Sequence, residues 1–498
     1  MLPFPSLLII DRTSSTALYL QVSKQIIALI RKGILKPGMR LPSTRELAQS
    51  LMLHRKTVVA AYNDMLLQGW ATTVPKKGVF VSSVLPELNP KIWEQNLKKV
   101  PDSNTTPFFY RNSFSVITDL GSDVAGYDIV IDDGLPDSRI APLDLLAREY
   151  RARLRRNLQL KGRTDSLSVG SILLREALTD YLFETRGIRA SVHNLLTTQG
   201  AQMGVYIAAQ LLLRAGDAVI VGEPNYFMAN NAFSYQNARI FRVPVDEHGL
   251  DMNKVEEICL RERINMLYVI PHHHHPTTVT LSPQRRMQLI ALAQRFNFMI
   301  VEDDYDYDFH YQSSPFLPLV SYCPERVIYI GSFTKCLASS VRIGFMVAPQ
   351  EMINEAAYVR RMINLRGDFI MEDALASLMR EGDVARHIKK SVNIYRERRD
   401  YVCALMKERL FAFSSFEIPT GGMAVWLRFS EAYPLIHVAA ELAKHRILIS
   451  DGRKYNTGPF NYNAIRFGFA SLNTRELSRV IELLTAVLSK EVNGQSNA

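Results

Sequence analysis

The sequence predicts an α/β protein of two unlike parts. A small, basic, helical domain ending in a β-hairpin precedes a much larger domain built on a mainly parallel sheet, with a smaller C-terminal lobe. Three observations lead there. Residues 1–82 hold eleven Lys/Arg against three Asp/Glu, so +8 of the net +10 sits in a sixth of the chain and the other 416 residues carry +2. Those first 82 residues read as three helical stretches and two short apolar strands. Beyond about residue 125, short apolar runs alternate with helical stretches, the pattern of strands joined by helical crossovers.

The bulk properties bound the rest. A length of 498 residues gives a soft expectation of about three domains, and a hydrophobic fraction of 47% is enough for a large core. No run of eighteen or more uncharged apolar residues is present, so no membrane span is expected. Met1–Leu8 has neither a basic n-region nor a small-residue cleavage site, which argues against a signal peptide. Cys259, Cys323, Cys336 and Cys403 are scattered without a CxxC, arguing against a disulfide framework or a zinc site. Together these features point to the cytoplasm.

The N-terminal elements follow in order. Residues 16–35 read as a helix, with Tyr19, Val22, Ile26 and Ile30 at helical spacing and Gly33 near its end. Pro37-Gly38 is a turn. Ser43 or Thr44 can cap a second, short helix over about 44–51, with Glu46 three residues after Ser43 as in a capping box. Leu53-His54 reads as a tight turn, and Arg55–Gln68 as a third helix whose apolar face is Val58, Val59, Tyr62, Met65 and Leu66. Trp70–Val74 and Val79–Val81 are strands about the basic turn Pro75-Lys76-Lys77-Gly78.

Three helices and a basic hairpin make a winged helix-turn-helix, and the charge suits double-stranded DNA. Arg55, Lys56 and Thr57 open the third helix, where a recognition helix meets base edges. Lys76 and Lys77 at the wing tip can reach phosphates or the minor groove. Arg45 can clamp backbone phosphate. The competing readings are a solvated basic face and a small helical domain that binds protein. The same residues closely resemble the GntR-type winged-helix family. Its motifs appear as Pro42-Ser43-Thr44-Arg45, Thr57-Val58-Val59-Ala60-Ala61-Tyr62 and Lys77-Gly78-Val79-Phe80-Val81. Two glycines are usual in that wing; here Gly78 stands alone.

Residues 83–120, rich in Pro, Asn, Ser and Lys, read as a linker, with a short helix expected around Lys91–Lys99. The large domain then spans 121–498, its large lobe about 125–385 and its small lobe about 386–490. Strands are expected at Leu195–Thr198, Ala218–Val221, Met266–Ile270, Phe298–Val301, Val327–Ile330 and Ile343–Val347.

Four motifs fall at strand ends. Thr198-Gln199-Gly200-Ala201-Gln202 leads into a helix over about 201–213, whose free N–H groups and dipole suit a phosphate. Val301-Glu302-Asp303-Asp304-Tyr305-Asp306 places acids after an apolar strand; they could be metal ligands, catalytic carboxylates, a pyridinium partner or a solvated strand end. Ile330-Gly331-Ser332-Phe333-Thr334-Lys335 ends a strand on a lysine, and a buried, deprotonated lysine can form a Schiff base. Ser332 and Thr334 supply hydroxyls for a phosphate. Val341-Arg342-Ile343-Gly344 adds an arginine suited to bidentate phosphate capture. A lysine, an acidic pyridine partner and a phosphate cup together describe a site for pyridoxal 5'-phosphate.

With these motifs the chain resembles fold-type-I aminotransferases. With the winged helix attached, it resembles MocR-type transcriptional regulators of the GntR superfamily over about 15–490. The resemblance implies that Lys335 holds the cofactor covalently, that Asp303 pairs with the pyridinium nitrogen and that Tyr305 hydrogen-bonds the phenolic oxygen. It implies Tyr226, in Glu223-Pro224-Asn225-Tyr226, stacked on the ring, and a phosphate held by Ala201, Gln202, Ser332, Thr334 and Arg342. Arg466, in Ile465-Arg466-Phe467-Gly468, matches the arginine that binds the carboxylate of amino-acid ligands. A head-to-tail homodimer is implied as well.

The chain also departs from these families. Where aminotransferases commonly carry Asn-Pro-Thr-Gly, it has His275-Pro276-Thr277-Thr278. The missing asparagine removes one donor to the ring oxygen and argues against efficient transamination. In the GABA-responsive branch an arginine follows the stacking tyrosine by two residues; here that residue is Met228, so GABA is not the ligand implied. Consecutive histidines on a strand end point opposite ways, so His272–His275 make a poor metal site; one or two are expected to line the cofactor cleft. The leading reading is a DNA-binding regulator that senses pyridoxal phosphate or an amino compound. The alternatives are an active aminotransferase with a DNA-binding appendage and a regulator with a vestigial cofactor site.

Overall fold

The computed structural model describes residues 4–14, 16–86, 124–157, 168–311, 316–457 and 459–495. The expected linker lies outside the described residues from 87 onward, as does the helix expected at Lys91–Lys99. The chain divides into two compact units, and each is built around its own core.

In the N-terminal unit the helices are α1 (Leu18–Arg31), α2 (Thr44–Ser50) and α3 (Arg55–Leu67). Ser43 caps α2 as a full capping box: its hydroxyl accepts from Glu46 N at 3.2 Å, while the Glu46 carboxylate accepts from Ser43 N at 2.9 Å. The turn into α3 lies at Leu51-Met52, slightly earlier than the expected Leu53-His54; Met52 takes the positive φ, and the His54 imidazole instead caps α3. The buried stripe of α3 is Val58, Ala61, Tyr62 and Met65. That is strict 3.6-residue spacing, and it leaves Val59, expected in the core, 37% exposed. Strands β1 (Ala71–Val74) and β2 (Gly78–Val81) pair antiparallel. Arg40 adds a bridge to Phe80, so the chain before α2 lies along the wing.

The large unit is organised by an eight-stranded sheet. Its strands are β3 (Leu195–Thr198), β4 (Ala218–Glu223), β5 (Arg239–Asp246), β6 (Gly249–Leu250), β7 (Ile264–Val269), β8 (Met299–Asp303), β9 (Val327–Ser332) and β10 (Gly344–Val347). The order is β3-β10-β9-β8-β7-β4-β5-β6. From β9 across to β5 all pairs are parallel, whereas β10 runs antiparallel to both β9 and β3. Helices bury both faces: Ala218 and Ile220 of β4 enter one core, Val219 and Val221 the other. This is why the central strands read as unbroken apolar runs. Strand β5 carries no clear strand signal in the sequence, because RIFRVPVD mixes charged and apolar residues and is only half covered.

Ala424–Phe429 pairs with Ser414–Ser415 and Ala464–Gly468 in a separate three-stranded sheet. Helix Asp383–Arg409 runs unbroken through residue 386, and Ile129–Val130 pairs with Ile447–Leu448, so an early segment joins the late ones. Among the described residues no helix is long and apolar enough to cross a membrane.

Candidate functional site

Because β3 and the parallel strands β4, β7, β8 and β9 point the same way, their C-terminal ends open at one edge, where open α/β sheets bind ligands. The motif residues lie along that edge. Lys335 follows β9, Asp303 ends β8, Tyr226 follows β4, and helix α4 (Ala201–Leu212) starts just after β3. Arg342 precedes the antiparallel β10 and so reaches the same edge.

The Lys335 amine donates to Gly134 O at 2.5 Å and lies 5.6 Å from the Tyr305 ring centroid. Burial and then the Arg466 charge push its pKa down, opposed by Asp133, Asp132 and Asp306. Asp303 is buried; its Oδ2 accepts from the Tyr268 hydroxyl at 2.7 Å, and its Oδ1 has no partner. Burial raises the Asp303 pKa to about 7, with Asp304 and Asp306 adding to the effect and Tyr268 opposing it. The Tyr305 hydroxyl receives Arg466 Nη2 at 3.2 Å. Tyr226 meets the His275 ring edge-on at 5.0 Å.

The phosphate motifs converge on the β3–α4 turn. Gly200, at φ +84°, caps α4, and Arg342 Nη2 donates to Gln199 O at 3.3 Å. A Cβ at Gly200 would stand 2.7 Å from that guanidinium, so glycine is what lets the arginine approach. Ala201 and Gln202 are the first two residues of the helix, and the Gln202 side chain donates to Met228 O at 3.2 Å. Ser332 Oγ accepts from Thr334 N at 3.2 Å, and Thr334 Oγ1 donates to Val341 O at 3.3 Å.

The acidic run is sorted by strand alternation and turn geometry. Glu302 accepts from Leu319 N and Val320 N, Asp304 contacts His272 and Tyr329, and Asp306 contacts His273. All four histidines are buried. His274 bonds Thr277, and burial drives its pKa down to about 3. His275 Nε2 contacts Asp133 Oδ2 at 2.9 Å. Among the described residues no group of three or more His, Cys, Asp or Glu is placed to hold a metal.

Sequence reasoning did not single out Asp133, Gly134, Tyr268 or Tyr455. None of them falls in one of the four strand-end motifs. In the N-terminal unit Arg45, Arg55, Lys56, Lys76 and Lys77 are exposed and Thr57 is half-buried. Arg55 Nε lies 3.4 Å from Thr44 Oγ1, which ties the start of α3 to the start of α2.

A winged helix and a fold-type-I aminotransferase sheet thus share one chain. Residues 146–484 match aminotransferase class I and II, the family to which the chain belongs, and residues 18–81 match the bacterial regulatory proteins of the gntR family. The pyridoxine biosynthesis regulator PdxR of Corynebacterium glutamicum is 27% identical over 479 residues, 95% of this chain and 96% of that one. The probable rhizopine catabolism regulatory protein MocR of Rhizobium meliloti is 26% identical, covering 86% of this chain and 84% of its own. Kynurenine aminotransferase of Pyrococcus horikoshii, solved in complex with PMP, shares the fold at a TM-score of 0.70 and 23% identity, over 77% of this chain and 97% of that one. The gntR domain implies DNA binding, and the aminotransferase fold implies pyridoxal phosphate. The residues fit that group: Asp303 keeps a buried oxygen without a partner, Gly200 leaves a cradle that a Cβ would fill, and Lys335 lies on the same edge.

The raised Asp303 pKa makes a signed prediction for cofactor-free protein. Its folded value exceeds its unfolded one, so the folded state holds the extra proton and loses stability as pH rises from about 4 to 7. Asp303→Asn should remove that slope, a difference on the order of 3 kcal/mol across the window. Chemical unfolding of both proteins at several pH values checks this; parallel curves would contradict it.

Proposed function

We propose that the chain is a DNA-binding transcriptional regulator whose aminotransferase-like domain binds pyridoxal 5'-phosphate through Lys335 and senses that cofactor or an amine presented to it. The observation that carries the reading is the unpartnered Asp303 Oδ1 on the edge that also holds Lys335. A buried carboxylate oxygen without a donor is costly unless something fills it. A pyridinium nitrogen would.

When bound, pyridoxal phosphate supplies an aldehyde that condenses with primary amines. The chain's residues do the rest. Burial lowers the Lys335 pKa, so the amine spends more of its time unprotonated and nucleophilic. Asp303 holds a proton or negative charge opposite the ring nitrogen. Tyr305 would hydrogen-bond the phenolic oxygen of the bound cofactor, and Tyr226 would stack on its ring. Backbone N–H groups of Ala201 and Gln202, the hydroxyls of Ser332 and Thr334, and the Arg342 guanidinium hold the phosphate. Arg45, Arg55, Lys56, Thr57, Lys76 and Lys77 form the DNA face. An effector regulates DNA binding only through different affinities for two forms of the protein. The second reading, an active aminotransferase with a DNA-binding appendage, is favoured by the family of residues 146–484; against it, His275 occupies the place of the usual asparagine. We read the protein as a cytoplasmic, head-to-tail homodimer, supported by Tyr358, Met362 and Leu365, which stand 66%, 75% and 69% exposed on one helix and its cap.

Purified protein should show a visible absorbance band with pyridoxal phosphate, lost in Lys335→Ala; a band that persists in the variant would assign another lysine. Repeated turnover with an amino donor and a keto acid would put the second reading first. Arg55→Ala should cost about 1–3 kcal/mol of affinity for operator DNA, whereas Lys76→Ala and Lys77→Ala should each reduce the salt slope by about one. Unchanged Arg55→Ala binding would defeat the recognition-helix assignment. Sedimentation at micromolar concentration should give a dimer, and a monomer would refute the assembly.

A further inference from the structure

We propose that Asp133 is a specificity residue: its carboxylate neutralises the Arg466 end of the cleft, so the site selects amines that carry no carboxylate there. This rests on the reading of the cleft as an amine-binding site and names the class of amine it takes.

Asp133 lies among the candidate-site residues. Its backbone oxygen accepts from Arg466 Nε at 3.2 Å. Its carboxylate accepts from the Tyr455 hydroxyl at 2.5 Å and contacts His275 Nε2 at 2.9 Å, with Lys454 Nζ at 3.8 Å. The next residue, Gly134, receives the Lys335 amine. The Asp133 side chain is 29% exposed, although its partner His275 is only 6% exposed, so the anion keeps an open face while its partner is enclosed.

The group is ionised at neutral pH. Burial alone would raise its pKa, but His275, Lys454 and Arg466 hold it well below the usual carboxylate range. Its charge is felt across the site, acting on Tyr226, Tyr305 and Lys335. Burial lowers the pKa of His275 itself, opposed by Asp133.

Arg466 is therefore already engaged through three of its five N–H groups. It is buried, and its Nε, Nη1 and Nη2 each donate once, to Asp133 O, Pro276 O and the Tyr305 hydroxyl. The carboxylates of Asp133 and Asp306 balance its charge. A ligand carboxylate approaching this arginine meets a fixed anion of the same sign, whereas a carboxamide of the same shape meets none. Rejection by a like charge is the economical way to discriminate two isosteres. The resemblance to amino-acid aminotransferases implies a carboxylate subsite at Arg466; Asp133 closes it.

The matched probes are L-alanine and L-alaninamide, which present the same amine and differ in carboxylate against carboxamide. Cofactor-loaded, full-length protein is titrated with each, following the absorbance shift of the bound cofactor and, independently, the heat of binding. Wild type should bind alaninamide at least about tenfold more tightly, and Asp133→Asn should shift that ratio toward alanine by about tenfold. Apparent affinities are expressed per unprotonated amine, which removes the different basicities of the two amines from the wild-type ratio as well as from its change in the variant. Equal or tighter alanine binding by wild type overturns the proposal, as does a ratio unchanged in Asp133→Asn or no binding of alaninamide at all. If Asp133→Asn does not fold, Asp133→Ser and the wild-type ratio make the same test. A wild-type protein with no cofactor band would instead defeat the preceding reading, and this inference with it.

Discussion

The large unit depends on one constraint: its sheet is covered on both faces. With Ala218 and Ile220 packed on one side and Val219 and Val221 on the other, no face remains for chemistry. Only the strand ends reach a cleft, and parallel pairing puts those ends on the same edge. That geometry gathers residues 201, 226, 303, 335 and 342, far apart in the chain, into one site. Close backbone packing completes it. A Cβ at Gly344 would lie 2.7 Å from the carbonyl carbon of Gly200, so β10 presses against the β3–α4 turn and carries Arg342 with it.

The site is also where buried charge is tolerated. Glu302, Asp303, Asp304 and Asp306 are all buried within five residues. Glu302 and Asp304 have donors or histidine partners for both carboxylate oxygens, whereas Asp303 and Asp306 each keep one oxygen without a partner, the other being held by Tyr268 and His273 respectively. Burying a carboxyl this way raises its pKa and weakens the fold at neutral pH, an arrangement retained where function needs it. Asp133 is the opposite case: donors surround it, its pKa falls, and its charge persists in the cleft.

The N-terminal unit solves a different problem. Helix α2 has only seven residues, too few to be stable alone, and its end groups are satisfied by the Ser43–Glu46 box. The Tyr62 hydroxyl donates to Pro42 O at 2.9 Å, fastening the third helix to the entry of the second. The buried stripe of α3 leaves its N-terminal cations Arg55 and Lys56 exposed.

The sequence by itself determined the two-part architecture, most strand and helix positions within a few residues, and the chemistry offered at strand ends. These signals are local: periodicity, capping residues, glycine turns and short motifs. It also carried the family resemblance. It could not sort the acidic run, because which carboxylate oxygens of Glu302, Asp303, Asp304 and Asp306 find partners depends on strands β7 and β9, on the histidine run and on residues near 319. Nor could it find Asp133 and Gly134, which lie some 200 residues before Lys335 in sequence and meet it only when the early segment folds back. Val59, expected in the core, lies one helical step of 100° past Val58, outside the buried stripe, and only packing against α1 and α2 selects that face. Tertiary structure decided the partners of every buried charge, since a charge's partner is set by distance in space and leaves no periodic trace along the chain.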